Sequence, residues 1–285
     1  MTAAIAIEGL RHVYLEDTPQ AQQALYNASL HVAPAEMTAI IGPTGAGKST
    51  LLHFCNGLLR PHERGRVRVL DQDLSTDVDL AALRRNVGLV FQYPHHQLFE
   101  RFVGDDVAYG PRQMGLDEDE VEERVQWALQ AVALDPEVFA DRPTLSLSGG
   151  EMRRAAIAGV LATRPSVLIL DEVTTGLDPE GREQIHALLR QLNEREGTAV
   201  LFVSNDLDEV AALADKAMLL YRGYTLAEGP VRELFSDLPL LARAELGAPF
   251  AGGLAAALQA RGIALEHTPL TAAEAEEELW QAWKG

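Results

Sequence analysis

The stretch Gly42-Pro43-Thr44-Gly45-Ala46-Gly47-Lys48-Ser49-Thr50 decides the fold of this chain. It fits the phosphate-binding pattern Gly-x-x-x-x-Gly-Lys-Ser/Thr, in which glycines let main-chain N–H groups approach a phosphate closely. An apolar run at residues 37–41 precedes it and predicts a buried strand, and residues 51–55 predict the opening turns of a helix. That helix would direct its partially positive N-terminus at the phosphates. The stretch therefore predicts a nucleotide-binding site.

Two side chains of this loop suit a nucleotide and its metal ion. Lys48 is placed to reach the β- and γ-phosphates, and Ser49 offers a hydroxyl to Mg²⁺. The residues of the loop that we predict to contact the nucleotide are Gly42, Thr44, Gly45, Ala46, Gly47, Lys48, Ser49 and Thr50.

The composition narrows the classes of protein. The 285 residues are 47% hydrophobic, which suffices for the core of one large α/β domain with a small appendage. No apolar run reaches the roughly 18 to 20 residues that span a bilayer, and the N-terminus does not read as a signal peptide. Cys55 is the single cysteine, so an internal disulfide is excluded. The formal net charge of -18 argues against a nucleic-acid partner.

Strand and helix patterns alternate along the chain and predict an α/β fold with a parallel sheet covered on both faces. Short strands at residues 4–8, 13–15 and 25–32 predict an antiparallel edge beside that sheet. Residues from about 93 to 163 read as a helical insertion between core strands. After residue 230 the pattern predicts only short helices. We therefore predict one domain at 1–230, with a helical subdomain at about 93–163, and a small C-terminal helical unit at 231–285.

Two adjacent carboxylates follow an apolar strand at residues 167–170. In a phosphate-loop enzyme the first, Asp171, would hold Mg²⁺, and the second, Glu172, could polarise the attacking water. Such a pair is weak evidence alone, because acidic pairs are common on surfaces. After a buried strand and downstream of a phosphate loop, it is a strong indication of catalysis.

Four motifs after the phosphate loop complete a family pattern. They are Gln92 after a strand, Leu147-Ser148-Gly149-Gly150-Glu151, Asp171-Glu172 and Gly176-Leu177-Asp178. Together they resemble the ABC-transporter ATPases over about residues 3–230. The runs at 90–99, 106–111 and 56–61, and the tail segment at 269–271, are similar to the energy-coupling-factor (ECF) branch of vitamin and metal importers. The resemblance implies a P-loop NTPase core of ABC-ATPase type that binds ATP and Mg²⁺.

The resemblance also implies roles for individual residues. Tyr14 would stack on adenine, although a packed strand residue is the alternative. Glu172 would act as general base, and Gln92 and Asn205 would complete the catalytic set. Ser49, Gln92 and Asp171 would hold Mg²⁺. Ser148, Gly149 and Gly150 would bind the γ-phosphate held by a second ATPase subunit, and Asp178 would lie at the interface between the two subunits.

Two residues depart from the family pattern. Glu151 stands where the signature motif normally ends in Gln, and a capping box with Ser148 explains it. Asn205 stands where the family places a switch histidine. An amide donates a hydrogen bond to a phosphate but cannot relay a proton as histidine does. We therefore expect slow turnover at the chain's own site and favour a heterodimer with a second, related ATPase over a homodimer.

The function implied is the ATP-hydrolysing subunit of an ECF-type importer, at the cytoplasmic face of the membrane. Its other partners would be a transmembrane coupling subunit and a substrate-binding membrane subunit. The alternative is a soluble ABC ATPase acting on nucleic acid or ribosomes. For the importer, residues 92–111 would form the docking surface for the membrane subunit. Its aromatic and acidic side chains are Tyr93, Phe99, Phe102, Tyr109, Glu100, Asp105 and Asp106.

Overall fold

The computed structural model describes residues 3–61, 64–263, 265 and 267–284, so the termini of the predicted domains, residues 1 and 285, lie outside it. In this part of the chain ten strands form one sheet. They are β1 (Ile5–Tyr14), β2 (Gln22–Val32), β3 (Met37–Ile41), β4 (Arg66–Val69), β5 (Gln72–Asp73), β6 (Val87–Val90), β7 (Val167–Asp171), β8 (Ala199–Val203), β9 (Lys216–Tyr221) and β10 (Tyr224–Pro230).

The sheet combines a parallel core with an antiparallel edge. Its order is β5-β4-β1-β2-β10-β9-β3-β8-β7-β6. Strands β9, β3, β8, β7 and β6 run parallel to one another, and β1 pairs antiparallel with both β2 and β4. The carboxyl ends of parallel strands meet at one edge of a sheet, which is where α/β proteins place their ligands.

The central strand β3 shows why the sheet is covered on both faces. All five of its residues are buried. Ala39 and Ile41 belong to one apolar cluster, whereas Ile40, between them, belongs to the other. Successive side chains of a strand point to opposite faces, so each face has its own core. The predicted α/β class, with helices on both faces, is confirmed.

Two details of the antiparallel edge differ from the prediction. Residues 4–8 and 13–15 belong to one long strand, β1, whose pairing with β2 shifts register three times between Ile7 and Val13. These irregularities break the apolar alternation, which made one strand look like two. Strand β10 was not predicted, because all seven of its residues are half-buried or exposed and it ends in Gly229 and Pro230.

The helices lie between the strands and after them. They are α1 (Lys48–Cys55), α2 (Leu80–Asn86), α3 (Val103–Gln113), α4 (Glu118–Ala131), α5 (Pro136–Phe139), α6 (Gly149–Leu161), α7 (Pro179–Glu196), α8 (Leu207–Leu213), α9 (Val231–Ser236), α10 (Leu238–Arg243), α11 (Phe250–Gln259) and α12 (Ala272–Lys284). Short 3₁₀ turns occupy Pro94–His96 and Thr144–Ser146. None of the helices within the described ranges is long and apolar enough to cross a membrane.

Four of these helices, α3 to α6, separate β6 from β7 and form the helical insertion that the sequence predicts. Helix α4 buries the stripe Val121, Val125, Ala128 and Leu129, spaced as one helical face. Helix α6 begins at Gly149, directly after its cap residue Ser148. Gln92 therefore lies in the segment between β6 and the first helix of the insertion.

Asp106 is not the exposed docking residue that the sequence suggested. Its side chain is only 7% exposed, and its Oδ2 accepts hydrogen bonds from the N–H groups of Phe99 (2.8 Å) and Glu100 (2.9 Å). Burial raises the pKa of this carboxyl, while the two N–H groups act in the opposite direction. Asp106 therefore holds the loop that precedes α3 in place and is wrong as a contact for a partner.

The C-terminal helices join the larger apolar cluster only in part. Leu234 and Phe235 of α9 and Leu241 of α10 are buried in that cluster. Helices α11 and α12 pack on each other, and the main-chain N–H of Phe250 donates to Asp208 Oδ1 of α8 at 2.8 Å. The division of the chain at residue 230 stays a prediction.

We expect Asp106→Ala to lower the free energy of unfolding by about 1–3 kcal/mol, because it strips two largely buried N–H groups of their acceptor. The matched control is Asp105→Ala, which removes only an exposed pair with Arg112 at 3.5 Å and should cost under about 0.5 kcal/mol. Urea denaturation measures both variants. Equal losses for the two would contradict the assignment of Asp106 as a loop anchor.

Candidate functional site

The phosphate loop lies between β3 and α1, and its glycines are required where the backbone approaches other strands. Gly47 has a φ of +104° and caps α1; a Cβ there would lie 2.7 Å from the carbonyl oxygen of Ala24. At Gly42, with a φ of +151°, a Cβ would collide with the carbonyl oxygen of Leu220. Side chains rarely adopt these angles, and neither position has room for one. The loop is therefore packed directly against the main chains of β2 and β9.

The Lys48 side chain is buried within this loop. It is 6% exposed, and its ammonium group donates to the carbonyls of Gly42 (2.7 Å) and Pro43 (3.1 Å). Its third bond, 3.0 Å long, goes to Oδ1 of Asn205 at the end of β8. Burial lowers the pKa of Lys48, and the nearby carboxylates Glu172 and Asp171 partly offset that effect.

The Glu172 carboxylate is held on both oxygens. Gln92 Nε2 donates to Oε2 at 3.0 Å, and Asn205 Nδ2 donates to Oε1 at 2.6 Å. The Asn205 amide therefore bridges a cation and an anion, its oxygen facing Lys48 and its nitrogen facing Glu172. The structure thus brings the three predicted catalytic residues together beside the phosphate loop.

Glu172 also has an unusual backbone. Its φ of +50° lies in the left-handed region, and its N–H donates to the carbonyl of Val203 on β8 at 3.2 Å. Such angles cost on the order of 1–3 kcal/mol for residues other than glycine and cluster at functional sites. The turn takes Glu172 out of the line of β7 at the residue after Asp171.

Asp171 has the environment of a cation ligand. Its side chain is 5% exposed, and its Oδ1 is buried without a hydrogen-bond partner among the described residues. Burial raises the pKa of this carboxyl; a hydrogen bond with Ser49 opposes the shift, and Glu172 adds to it. An unsatisfied buried oxygen beside a serine hydroxyl fits Mg²⁺, which prefers hard oxygen ligands.

Tyr14 and Thr50 lie at the same helix start. The Tyr14 hydroxyl donates to Thr50 Oγ1 at 3.1 Å, and its half-buried ring meets His12 edge-on with centroids 4.4 Å apart. The Tyr14 ring is thus next to the first turn of α1. Its stacking on adenine stays a prediction.

The Ser148–Gly150 segment lies apart from this cluster, at the exposed start of α6. Ser148 and Glu151 form the predicted capping box. The Ser148 N–H donates to Glu151 Oε2 at 2.7 Å, and the Glu151 N–H donates to Ser148 Oγ at 3.3 Å. Glu151 also pairs with Arg142 at 2.9 Å, and its pKa is lowered chiefly by the Ser148 bonds. Gly150 lies near Leu177, where a Cβ would be 3.8 Å from its side chain. Of the predicted interface residues, Asp178 caps α7 by accepting from the N–H of Gly181.

Sequence analysis missed a set of buried polar residues behind the site. His186, Ser204 and Glu209 are each at most 6% exposed and share hydrogen bonds. The one available signal was that His186 interrupts the apolar stripe of α7, which is formed by Ile185, Leu188, Leu189 and Leu192. Nothing in the local pattern pairs it with a residue 23 positions away.

The chain is similar to many known proteins. A family model of ABC transporters matches residues 25–175. The chain is 47% identical over 272 residues to the energy-coupling factor transporter ATP-binding protein EcfA2 of Symbiobacterium thermophilum, covering 95% of this chain and 93% of that protein. The EcfA2 protein of Clostridium tetani is 39% identical, with coverages of 97% and 96%.

Solved structures give the same result. The chain is similar to cbiO1 of Clostridium perfringens, described as part of the ABC transporter complex cbiONQ, with a TM-score of 0.73, 34% identity and coverages of 86% and 95%. It is also similar to the ATP-binding cassette MJ0796 in a dimeric post-hydrolysis state bound to ADP and Pi. That match has a TM-score of 0.74, 28% identity and coverages of 80% and 99%.

We expect Glu172→Gln to retain ATP binding and to lose at least about a hundredfold in hydrolysis rate, because an amide cannot accept a proton from water. The measurements are equilibrium ATP binding and phosphate release. The matched control is Glu180→Gln, an exposed carboxyl in the first turn of α7, which should hydrolyse ATP at the parent rate. Parental turnover in Glu172→Gln would remove Glu172 from the role of base.

Proposed function

Because this chain belongs to the ABC transporter family, we propose that the cluster around Glu172 hydrolyses ATP to power transport. The chain is an ATP-binding and ATP-hydrolysing subunit of an ECF-type importer, as the names of its relatives and of the cbiO1 structure support. Those names do not support the alternative of a soluble ATPase acting on nucleic acid or ribosomes. The single observation that carries the chemistry is the Glu172 carboxylate held between Gln92 and Asn205, with the Asn205 amide also bonded to Lys48.

The loop residues would bind the phosphates of ATP. Lys48 would exchange the carbonyls of Gly42 and Pro43 and the Asn205 oxygen for phosphate oxygens, which are stronger partners for a buried ammonium. Main-chain N–H groups from Gly42 to Thr50 would surround the same phosphates at the N-terminus of α1. Tyr14 would flank the base.

Ser49, Asp171 and Gln92 would hold Mg²⁺, and the unpartnered Asp171 Oδ1 is the observation that fits it. The ion, when bound, neutralises charge on the β- and γ-phosphate oxygens. A water oxygen bonds to the γ-phosphorus while the bond to the bridging oxygen of ADP breaks, and the water's proton passes to Glu172. Asn205 and Gln92 hold that carboxylate in place.

The exposed start of α6 supports a composite site shared between two subunits. Ser148 and Gly149 are exposed, and the helix N-terminus there suits an anion. They would complete the site of a second ATPase subunit, whose own signature segment would complete the site around Lys48. We favour a heterodimer, because Asn205 lacks the proton-relaying chemistry of histidine and a homodimer would carry that defect twice.

We expect Asn205→His to raise the ATP hydrolysis rate of the purified chain by about tenfold, since an imidazole can relay a proton where an amide cannot. The same substitution in the complex with a partner ATPase should raise only the turnover at this chain's own site. Phosphate release measures both. Asn193→His, at the far end of α7 where Asn193 Nδ2 bonds the carbonyl of Thr198, is the control and should leave the rate unchanged. If the parent chain hydrolyses ATP rapidly and Asn205→His does not change that rate, the proposal that Asn205 slows turnover at this site is wrong.

The surface from Gln92 to α3 would receive the transmembrane coupling subunit. Phe99 and Tyr109 are 62% and 44% exposed and meet edge to face with centroids 4.8 Å apart. Gln97 joins this segment to α6 and to the residue after β6: its Nε2 donates to the carbonyl of Ala156 on α6 at 2.9 Å, and its Oε1 accepts from the N–H of Phe91. A partner seated here would therefore press on the loop that carries Gln92. The chain would act as a peripheral subunit at the cytoplasmic face of the membrane.

Charge reversal of the docking surface tests the importer assignment. Glu100→Lys with Asp105→Lys should abolish co-purification with the membrane subunits and uptake of the substrate, because a basic coupling segment would meet like charge. ATP affinity should stay at the parent value. The control Glu194→Lys reverses an exposed charge on α7 and should leave co-purification and substrate uptake at the parent level. Intact co-purification and uptake after the double reversal would remove this surface from the interface.

A further inference from the structure

A buried carboxylate behind the site is not part of the catalytic set described above. Glu209 of α8 is 6% exposed. Its Oε1 lies 2.8 Å from Nε2 of His186 on α7, and its Oε2 accepts from the Ser204 hydroxyl at 2.5 Å. Burial alone would raise the pKa of Glu209, but hydrogen bonds from His186, Ser204 and Thr174 outweigh it and lower the pKa. The group is thus a buried carboxylate whose charge is satisfied by three neighbours.

The order of these groups excludes a second hydrolytic centre. In a serine nucleophile the hydroxyl bonds to histidine, which takes its proton, and a carboxylate orients the histidine from behind. Here the carboxylate is in the middle, and the Ser204 hydroxyl donates to it. All three side chains are also buried. The set is therefore built to hold elements together.

The elements that it joins are those that carry the catalytic residues. Ser204 directly precedes Asn205, and Thr174 lies two residues after Glu172. Ser204 Oγ also accepts from the N–H of Asp206 at 3.0 Å, which closes the turn around Asn205. The single carboxylate of Glu209 therefore connects the backbone beside the amide of Asn205 to the backbone beside the carboxylate of Glu172.

His186 extends the connection to a third element. It lies on α7. The cap residue of that helix, Asp178, follows Leu177, whose side chain lies beside Gly150. The other ring nitrogen of His186, Nδ1, is 3.8 Å from the exposed carboxylate of Glu183, so Glu209 is the closest ionisable partner of His186 among the described residues. Leucine at both positions would fill a helix interface without bonds of fixed direction. A hydrogen-bonded pair instead fixes how α7 and α8 are placed relative to each other.

We propose that Glu209 and His186 are positioning residues for ATP hydrolysis, which set the placement of Asn205 against Glu172 without touching the nucleotide. The proposal rests on the proposed roles of those two residues. Loss of the Glu209 bonds would release Ser204 and displace the 2.6 Å contact between Asn205 and Glu172. A misplacement on the order of 1 Å costs up to about a hundredfold in rate. ATP binding depends on the loop around Lys48 and would be spared.

The test compares Glu209→Leu, Glu209→Gln and His186→Leu with the parent in the full-length chain. The kcat for ATP hydrolysis should fall by about tenfold or more in the leucine variants, with KM and equilibrium ATP affinity within about twofold of the parent. The near-isosteric Glu209→Gln should retain more activity than Glu209→Leu, because its amide still bonds two neighbours. If a leucine variant fails to fold, the kcat of Glu209→Gln still tests the proposal. Asn193→Leu is the control: it removes a hydrogen bond from the other end of α7 and should lower Tm without lowering kcat.

A double-mutant cycle separates positioning from general destabilisation. In an Asn205→Ala background, Glu209→Leu should cause no further fall in kcat, because the side chain that it places is gone. Equal falls in both backgrounds, or a fall in Tm with kcat unchanged, would overturn the proposal. A parent chain that does not hydrolyse ATP at all would instead contradict the proposed function, so the two failures are distinguishable.

Discussion

The buried ammonium group of Lys48 is the constraint around which the site is arranged. A desolvated cation needs hydrogen-bond acceptors on every side, and this one takes two from its own loop and one from Asn205. The Asn205 amide then has its nitrogen left for Glu172. An ordered chain therefore runs from the loop after β3, through the end of β8, to the end of β7. The three strands are neighbours in the parallel core, which is why these residues meet although they are far apart in sequence.

The sequence was sufficient where the determinants are local. Short-range patterns determine the loop at residues 42–50, the apolar runs that became β3 and β7, and the capping box at Ser148. The prediction of the α/β class with a helical insertion followed from them and is confirmed. The phosphate loop and the pair Asp171-Glu172 were assigned from their own patterns, whereas Gln92 and Asn205 were assigned from a resemblance. The structure adds that both of these lie within hydrogen-bonding distance of Glu172.

The features that the sequence did not predict have one physical origin: each depends on contacts with residues from other elements of the fold. Asp106 was predicted to lie on the docking surface, yet its carboxylate is buried and accepts hydrogen bonds from the N–H groups of Phe99 and Glu100. Glu209 was not singled out in the sequence, because its partners lie on α7 and directly after β8. Strand β10 has no apolar alternation of its own and forms because β9 and β2 flank it. Local patterns carry no information on contacts of this kind.

The close packing of the phosphate loop has a mechanical consequence. Gly42 and Gly47 bring the loop against main-chain carbonyls of β9 and β2, and Ala46 accepts from the N–H of Gly223 in the turn between β9 and β10 at 3.0 Å. Because main-chain atoms make these contacts, the loop has little freedom to move relative to β2 and β9. Gln92 is held by one side-chain hydrogen bond, to Glu172, and Asn205 by two, to Lys48 and Glu172, and each bond is worth about 1 kcal/mol net. We therefore expect any movement on nucleotide exchange to fall on those two side chains rather than on the phosphate loop.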